Sequence, residues 1–278
     1  MVIRKATPSP SPSPPPGERG GKTGDGKSRA YRLLVVADQT ALAKEAAELF
    51  AETAESAMAR AGRFTVALSG GTTPKLLYSL LATEPYRVRL PWRRIHVFWG
   101  DERCVPPEHP DSNFGMAKVT LLDLVQIPAE QLHRMQAERE DLNAARKYEI
   151  ELARVFEVPP TGEPPTLDLI LLGLGADGHT VSLFPHTEAV RETKRWVVRN
   201  YVPKFGANRL TLTASILNRG TTILFLVSGA DKAPILREVL EGPPDPERLP
   251  SQLIRPVSGR LIWLVDRAAA SQLSQKAE

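Results

Sequence analysis

The chain has 278 residues, 42% hydrophobic and 24% charged, a composition typical of globular proteins. Its formal net charge is +4, but residues 1–30 hold six basic and two acidic residues, so the remainder is formally neutral and no nucleic-acid partner is expected. Apolar runs fall far short of the roughly 20 residues that span a bilayer, which argues against a membrane partner, and the single cysteine, Cys104, favours a cytoplasmic location.

The predicted elements begin after a proline- and serine-rich segment. We expect residues 1–29 to form a disordered basic tail, because they contain almost nothing to bury and no apolar secretory signal. We expect a single domain over residues 30–270 and a flexible C-terminus over 271–278. Within the domain, short apolar runs alternate with helical patterns, which predicts an α/β fold with a mostly parallel sheet covered by helices. In chain order the prediction is strand 31–37, helix 40–61, strand 64–68, helix 74–81, strand 95–99, helices 113–122 and 142–156, strands 167–172, 196–199, 210–212 and 222–227, helix 232–240 and strand 261–265.

A glycine-rich run, Gly173 to Thr180, directly follows the predicted strand 167–172. Loops at the carboxyl ends of parallel strands are where open α/β sheets bind ligands. We expect His179 to begin a short helix, whose dipole would keep the imidazole neutral and able to accept a proton. The alternatives are a histidine that bonds a loop carbonyl and an Asp177 that only caps the helix. A dinucleotide site is rejected, because Asp177 would face the pyrophosphate and Pro185 would break the helix required there.

A second loop, Ser69 to Lys75, lies between a predicted strand and a predicted helix. Its glycines and hydroxyls, with Thr73-Pro74 as cap and first helical residue, favour a bound phosphate. The candidate binding residues are Ser69, Gly70, Gly71, Thr72 and Thr73. The spacing is not that of the nucleotide-binding P-loop, and an ordinary tight turn is the alternative. A serine-hydrolase elbow is disfavoured, since no histidine follows His186.

The remaining candidates are charged residues near other strand ends. We expect Gly100 to Arg103 to form a third loop, in which Asp101 orients hydroxyl groups or a base and Arg103 binds an anion. Lys204, Arg209 and Lys232 are further candidates for an anion pocket, although each alone would be interpreted as a surface charge. We interpret Cys104 as a half-buried thiol rather than a nucleophile. The five histidines have no paired spacing, so no metal site is expected.

Taken together, these loops resemble the 6-phosphogluconolactonase family. The matching segments, in family order over about residues 31–266, are 67–74, 98–103, 111–116, 173–185 and 209–213. The block over 173–185 is the most specific of them. Its one departure is Val181, where the family usually has alanine.

The resemblance implies a Rossmann-like domain of the sugar-phosphate isomerase and deaminase type. It further implies hydrolysis of 6-phosphoglucono-δ-lactone, the second step of the oxidative pentose phosphate pathway, without metal or cofactor. His179 would be the general base that activates water, while Asp101 and Arg103 would line the sugar pocket. The Ser69–Thr73 loop, with Lys204, Arg209 and Lys232, would hold the phosphate or the developing oxyanion, and Asp177 would be among the substrate-binding residues. The expected partner is a small sugar-phosphate lactone, and the expected state is a monomer or a weak homo-oligomer.

Three rival functions use similar residues. A glucosamine-6-phosphate deaminase would continue the histidine block with Asn-Glu-Pro, whereas this chain has Ser182-Leu183-Phe184-Pro185 and lacks that carboxylate. A sugar-phosphate sensor would need a helix-turn-helix, which residues 1–29 cannot supply. A serine esterase ranks last.

Overall fold

A computed structural model of the protein describes residues 31–139 and 143–274. The predicted tail over 1–29, the first residue of the predicted helix 142–156, and the last four residues lie outside these ranges. Among the described residues, no helix has the length and apolar character needed to cross a bilayer.

A six-stranded parallel sheet forms the centre of the fold. Its strands lie side by side in the order β1, β9, β8, β5, β2, β3. Their bounds are β1 Arg32–Val36, β2 Phe64–Leu68, β3 Ile95–Trp99, β5 Leu169–Leu172, β8 Thr222–Val227 and β9 Arg260–Asp266. Every residue of β2, β5 and β8 is buried, as expected for strands covered on both faces.

A smaller antiparallel sheet lies beyond the end of β3. It consists of β4 (Asp101–Arg103), β7 (Ala207–Leu212) and β6 (Val197–Val202), in that order. Only Gly100 separates β4 from β3, and the Gly100 carbonyl accepts a hydrogen bond of 2.8 Å from the Leu212 amide. The predicted loop at residues 100–103 is therefore wrong, because pairing with β7 extends this segment into a strand.

Seven α-helices accompany the sheets in the described residues. They are α1 Gln39–Ala61, α2 Thr72–Leu81, α3 Tyr86–Arg89, α4 Asn113–Thr120, α5 Ala144–Phe156, α6 Ala214–Leu217 and α7 Ala233–Glu241. Helix α1 begins where the Asp38 side chain accepts from the Ala41 amide at 2.9 Å, and ends at Gly62, which has φ 66°. Its alanine-rich face is buried against the sheet, which confirms the predicted amphipathic helix.

Helix α2 begins two residues earlier than predicted. Gly71, with φ 108°, is its N-cap, and no side chain caps the helix. The expected cap at Thr73 is therefore wrong, since Thr72 and Thr73 already lie within the first turn. The early start places uncapped backbone amides beside the glycines of the Ser69 loop.

Two stacked histidines close the β3 edge of the central sheet. His96 Nδ1 lies 3.1 Å from His133 Nε2, and His133 Nδ1 lies 2.7 Å from Glu151 Oε1 on α5. Burial, together with the nearby His133, lowers the pKa of His96 to about 4. Burial also lowers the pKa of His133, although its bond to Glu151 opposes the shift.

This pair predicts a loss of stability in mild acid. An unfolded histidine titrates near pH 6.5, so the unfolded chain binds a proton more readily than folded His96 does. The free energy of unfolding should therefore fall as the pH drops from about 6.5 toward 4. Urea unfolding at several pH values should show a shallower fall for His96→Gln than for the unchanged chain. Parallel curves for the two proteins would contradict this assignment.

Candidate active site

Most of the candidate side chains lie in segments that follow the carboxyl ends of neighbouring strands. The Ser69 loop follows β2, Gly100 and strand β4 follow β3, the Gly173–His179 loop follows β5, and the Ser228–Lys232 segment follows β8. Since these strands are parallel and adjacent, all four segments begin at one edge of the sheet.

Asp101 connects three of these chain segments. Its carboxylate is only 6% exposed and accepts a 2.6 Å hydrogen bond from Ser182 Oγ and one of 3.2 Å from Asn113 Nδ2. Asn113 in turn packs against Gly70, where an added Cβ would lie 1.9 Å from the Asn113 Oδ1 atom. Asp101 thereby fixes the histidine loop and the Ser69 loop relative to each other.

His179 is held by Asp177 and lies in a turn rather than at the start of a helix. The predicted helix is absent, since the next helical turn is Glu188–Arg191, and the expected dipole effect and helix cap are therefore wrong. Instead, the Asp177 carboxylate bonds the His179 Nδ1 atom and accepts from the His179 amide at 3.3 Å. Since a carboxylate only accepts, Nδ1 carries the proton and Nε2 has a free lone pair.

Glycine is required beneath this imidazole. A Cβ at Gly175 would lie 1.9 Å from His179 Nδ1, so any larger residue would displace the ring. The His179 side chain is 25% exposed, which leaves it accessible to a small ligand.

Lys204 binds the second oxygen of Asp177. Its Nζ atom donates to Asp177 Oδ2 at 2.8 Å, so the carboxylate joins the imidazole to a cation. Partial burial acts to raise the pKa of Asp177, but the hydrogen bonds from His179 and Lys204 outweigh it and hold the pKa well below its usual range. Asp177 is therefore ionised at neutral pH.

Two phenylalanines complete a closed circuit of contacts around His179. The His179 ring stacks on Phe184 with centroids 4.0 Å apart, and Phe184 meets the edge of Phe205 at 5.6 Å. Lys204 Nζ lies 5.7 Å from the Phe205 centroid. Because Lys204 also binds Asp177, the contacts form a closed circuit that begins and ends at His179. The Phe205 ring is also 5.0 Å from the Arg209 guanidinium carbon. Aromatic faces thus support both the His179 imidazole and two cations.

Arg103 and Arg209 are register partners on the adjacent strands β4 and β7. Arg103 Nη1 donates to the Asp111 carbonyl. Burial lowers the pKa of Arg209, and the positive charge of Arg103 lowers it further. An anion near both guanidinium groups would therefore be attracted by two positive charges.

The Ser69 loop presents donors without partners. Ser69 is 5% exposed, and its hydroxyl has no hydrogen-bond partner among the described residues. Its backbone amide and carbonyl are both bonded by the Tyr78 hydroxyl, at 3.0 and 2.8 Å, which fixes the loop. Beside this hydroxyl, the uncapped start of α2 favours an anion.

Lys232 is the candidate that these contacts do not join to the others. It is the N-cap residue of α7, and its Nζ lies 3.4 Å from Asp231 Oδ2. Helix α7 nevertheless approaches the histidine loop, because Ile235 packs against Gly178. Cys104 is half-buried, and burial raises the pKa of its thiol, in agreement with its interpretation as a packing residue.

Sequence reasoning missed the residues that position the predicted ones. Ser182, Phe184 and Asn113 lie inside the motifs but received no individual role, and Phe205 was not considered. The only available signals were the proximity of Phe205 to Lys204 and the helical cap pattern Asp111-Ser112-Asn113. Within the described residues, no group of three metal-ligating side chains is close enough to hold a metal ion.

Comparisons with known proteins identify the family of the chain. Residues 37–263 match the family described as glucosamine-6-phosphate isomerases/6-phosphogluconolactonase. The chain belongs to this family. It is 45% identical to a 6-phosphogluconolactonase of Nostoc sp. over 86% of this chain and 97% of the relative, and 48% identical to that of Synechocystis sp. over 78% and 88%. The structure of 6-phosphogluconolactonase from Trypanosoma cruzi aligns with a TM-score of 0.78 at 27% identity, covering 89% of this chain and 98% of that one. The expected family, fold and enzyme class are confirmed.

The aromatic circuit leads to a prediction for this family member. Replacing Phe205, which is 49% exposed, by alanine removes the ring that supports Lys204 and Arg209. At about 0.5–1 kcal/mol for each cation, kcat/KM should fall roughly 5- to 30-fold. Steady-state kinetics on the phosphorylated lactone measure this effect. Phe205→Tyr keeps the ring face and should retain a nearly normal kcat/KM; an equal fall in both variants would contradict a role for the ring.

Proposed function

We propose that this chain hydrolyses 6-phospho-D-glucono-1,5-lactone to 6-phospho-D-gluconate, with His179 as the general base. The observation that supports it best is the pairing of Asp177 with Nδ1 of His179, which leaves Nε2 free to accept a proton. The names of the relatives point to the same substrate.

In this mechanism Nε2 of His179 removes a proton from a water molecule, whose oxygen attacks the lactone carbonyl carbon. The resulting imidazolium is stabilised by the ionised Asp177, and the tetrahedral intermediate carries a negative oxygen. As the intermediate collapses, the bond to the ring oxygen breaks and that oxygen takes the proton from Nε2. The products are a carboxylic acid, which ionises, and a free hydroxyl group, so the enzyme returns to its starting state.

The cations have separate roles in the proposal. Arg209 lies beside the Phe205 ring, and Arg103 is its register partner on the strand that carries Asp101, so we assign both to the oxyanion and the sugar. Ser69 to Thr73 and Lys232 follow β2 and β8, the strands on either side of β5, and we assign them to the phosphate. Lys204 is committed to Asp177, which makes it a positioning residue. Asp101 is buried and bonded on both oxygens, so its role is to fix the loops.

The lone, half-buried Cys104 supports a cytoplasmic location, which remains part of the proposal.

Removal of the base is the direct test. His179→Ala should lower the catalysed rate by about 10²–10⁴-fold while the far-ultraviolet circular dichroism stays unchanged. Because the lactone hydrolyses spontaneously, the assay must measure acceleration over buffer. His186→Asn, at an exposed histidine whose φ of 62° asparagine tolerates, is the matched control and should retain activity. Near-normal turnover of His179→Ala would exclude His179 as the base, and ammonia release from glucosamine 6-phosphate would favour the deaminase alternative.

The phosphate assignment has its own test. Lys232→Ala should raise KM for the phosphorylated lactone more than for unphosphorylated gluconolactone. Only the phosphorylated substrate carries a phosphate dianion, to which the Lys232 ammonium group would bind. Lys44→Ala, on the exposed face of α1, is the control for loss of one positive charge and should change neither value. Equal effects of Lys232→Ala on the two substrates would overturn the assignment.

A further inference from the structure

A second cavity lies at the opposite edge of the central sheet from the candidate active site. It has a volume of about 490 Å³ and is lined by α3, by the turn that precedes β3, and by residues 124–126. Because β3 runs from this cavity toward Gly100, the full length of the strand separates the two sites. The volume lies within the range of about 300–1,000 Å³ that is typical of small-molecule sites.

The lining combines three arginines with apolar side chains. Arg87, Arg93 and Arg94 share the cavity with Leu90 and Trp92, both of which are buried. Two further lining residues present apolar surface to solvent, Val88 at 70% exposed and Leu124 at 54% exposed. The Trp92 indole donates to the Arg87 carbonyl at 2.9 Å and so holds the two arginine-bearing segments together.

Two of the three arginines of this cavity have no acidic partner. Arg93 and Arg94 form no ion pair or side-chain hydrogen bond within the described ranges, whereas Arg87 pairs with Glu84 at 3.5 Å. By contrast, Arg89 on the same helix as Arg87 is bound by Glu48 at 2.6 Å and Glu55 at 2.7 Å. No carboxylate lines the cavity. Arg93 and Arg94 are exposed, so their guanidinium groups are accessible to an anionic ligand.

The mixture of groups limits the ligand class. A fatty acyl chain would place hydrocarbon against three guanidinium groups and the Gln126 amide. A free phosphate ion, only a few times the ~30 Å³ share of a water molecule, would fill a small part of the cavity. A ligand that joins an aromatic ring to phosphate groups matches both the arginines and the apolar lining. Guanidinium groups bind phosphate in bidentate fashion and also stack on planar rings.

We propose that this cavity, lined by Arg87, Arg93 and Arg94, binds a nucleotide-like ligand that joins a planar aromatic base to a phosphorylated group. The cavity is a second site that is independent of lactone hydrolysis. Its ligand therefore binds whether or not the sugar-phosphate pocket is filled.

Calorimetric titration of the full chain tests the proposal, with ADP, adenosine and pyrophosphate as probes. ADP should bind with a dissociation constant at least about tenfold lower than that of pyrophosphate or adenosine. Saturating 6-phosphogluconate should leave ADP binding unchanged. No ADP binding at millimolar concentration, equal affinity for pyrophosphate, or displacement of ADP by 6-phosphogluconate would each overturn the proposal.

Variants locate the binding. R93Q/R94Q should raise the dissociation constant of ADP by at least about tenfold, and L124E, which adds a carboxylate at the mouth, should also weaken binding. R32Q/R237Q removes two exposed arginines elsewhere and should change it less than about twofold. Unchanged lactonase activity shows that each variant is folded. If both double variants lose ADP binding equally, the loss reflects the change in net charge, and the proposed binding site is overturned.

Discussion

The buried carboxylate of Asp101 is the constraint on which the arrangement of the site depends. It stands at the point where the parallel sheet passes into the antiparallel one, and it holds Ser182 and Asn113 at hydrogen-bond distance. These contacts join segments that are far apart in sequence. A buried charge is tolerated only when it is well bonded, so the carboxylate enforces one relative placement of the loops. Through Ser182 it positions the histidine loop, and through Asn113 it positions the Ser69 loop. It also lies on the same short strand as Arg103.

Around this fixed frame, charge is distributed unevenly. One carboxylate, Asp177, is shared by His179 and Lys204, and it orients the imidazole while neutralising one cation. Arg103 and Arg209 are register partners on neighbouring strands, and in the proposed function they bind the oxyanion and the sugar. Phe205 supports Arg209 without cancelling its charge, because a ring face attracts a cation but carries no net charge.

The order of elements could be predicted from sequence because buried parallel strands form distinct apolar runs. The loops could be predicted because their glycines and polar residues follow those runs. Strand β4 could not, since Asp101-Glu102-Arg103 has no apolar pattern and becomes a strand only by pairing with β7, about a hundred residues later. The expected helix at His179 failed for a related reason: Asp177 bonds the imidazole and the backbone locally, which stabilises a turn instead. Phe205 was missed because its role arises from contacts across loops.

The strand order also has a consequence for how the chain is made. The first strand has the last one, Arg260–Asp266, as its hydrogen-bonded neighbour in the sheet. During synthesis, therefore, the amino-terminal strand emerges from the ribosome long before the segment that will pair with it. Closure of so distant a contact is slow compared with local folding, and until then its edge is open to other chains. The nascent protein thus depends on strand β9 to cover one edge of strand β1.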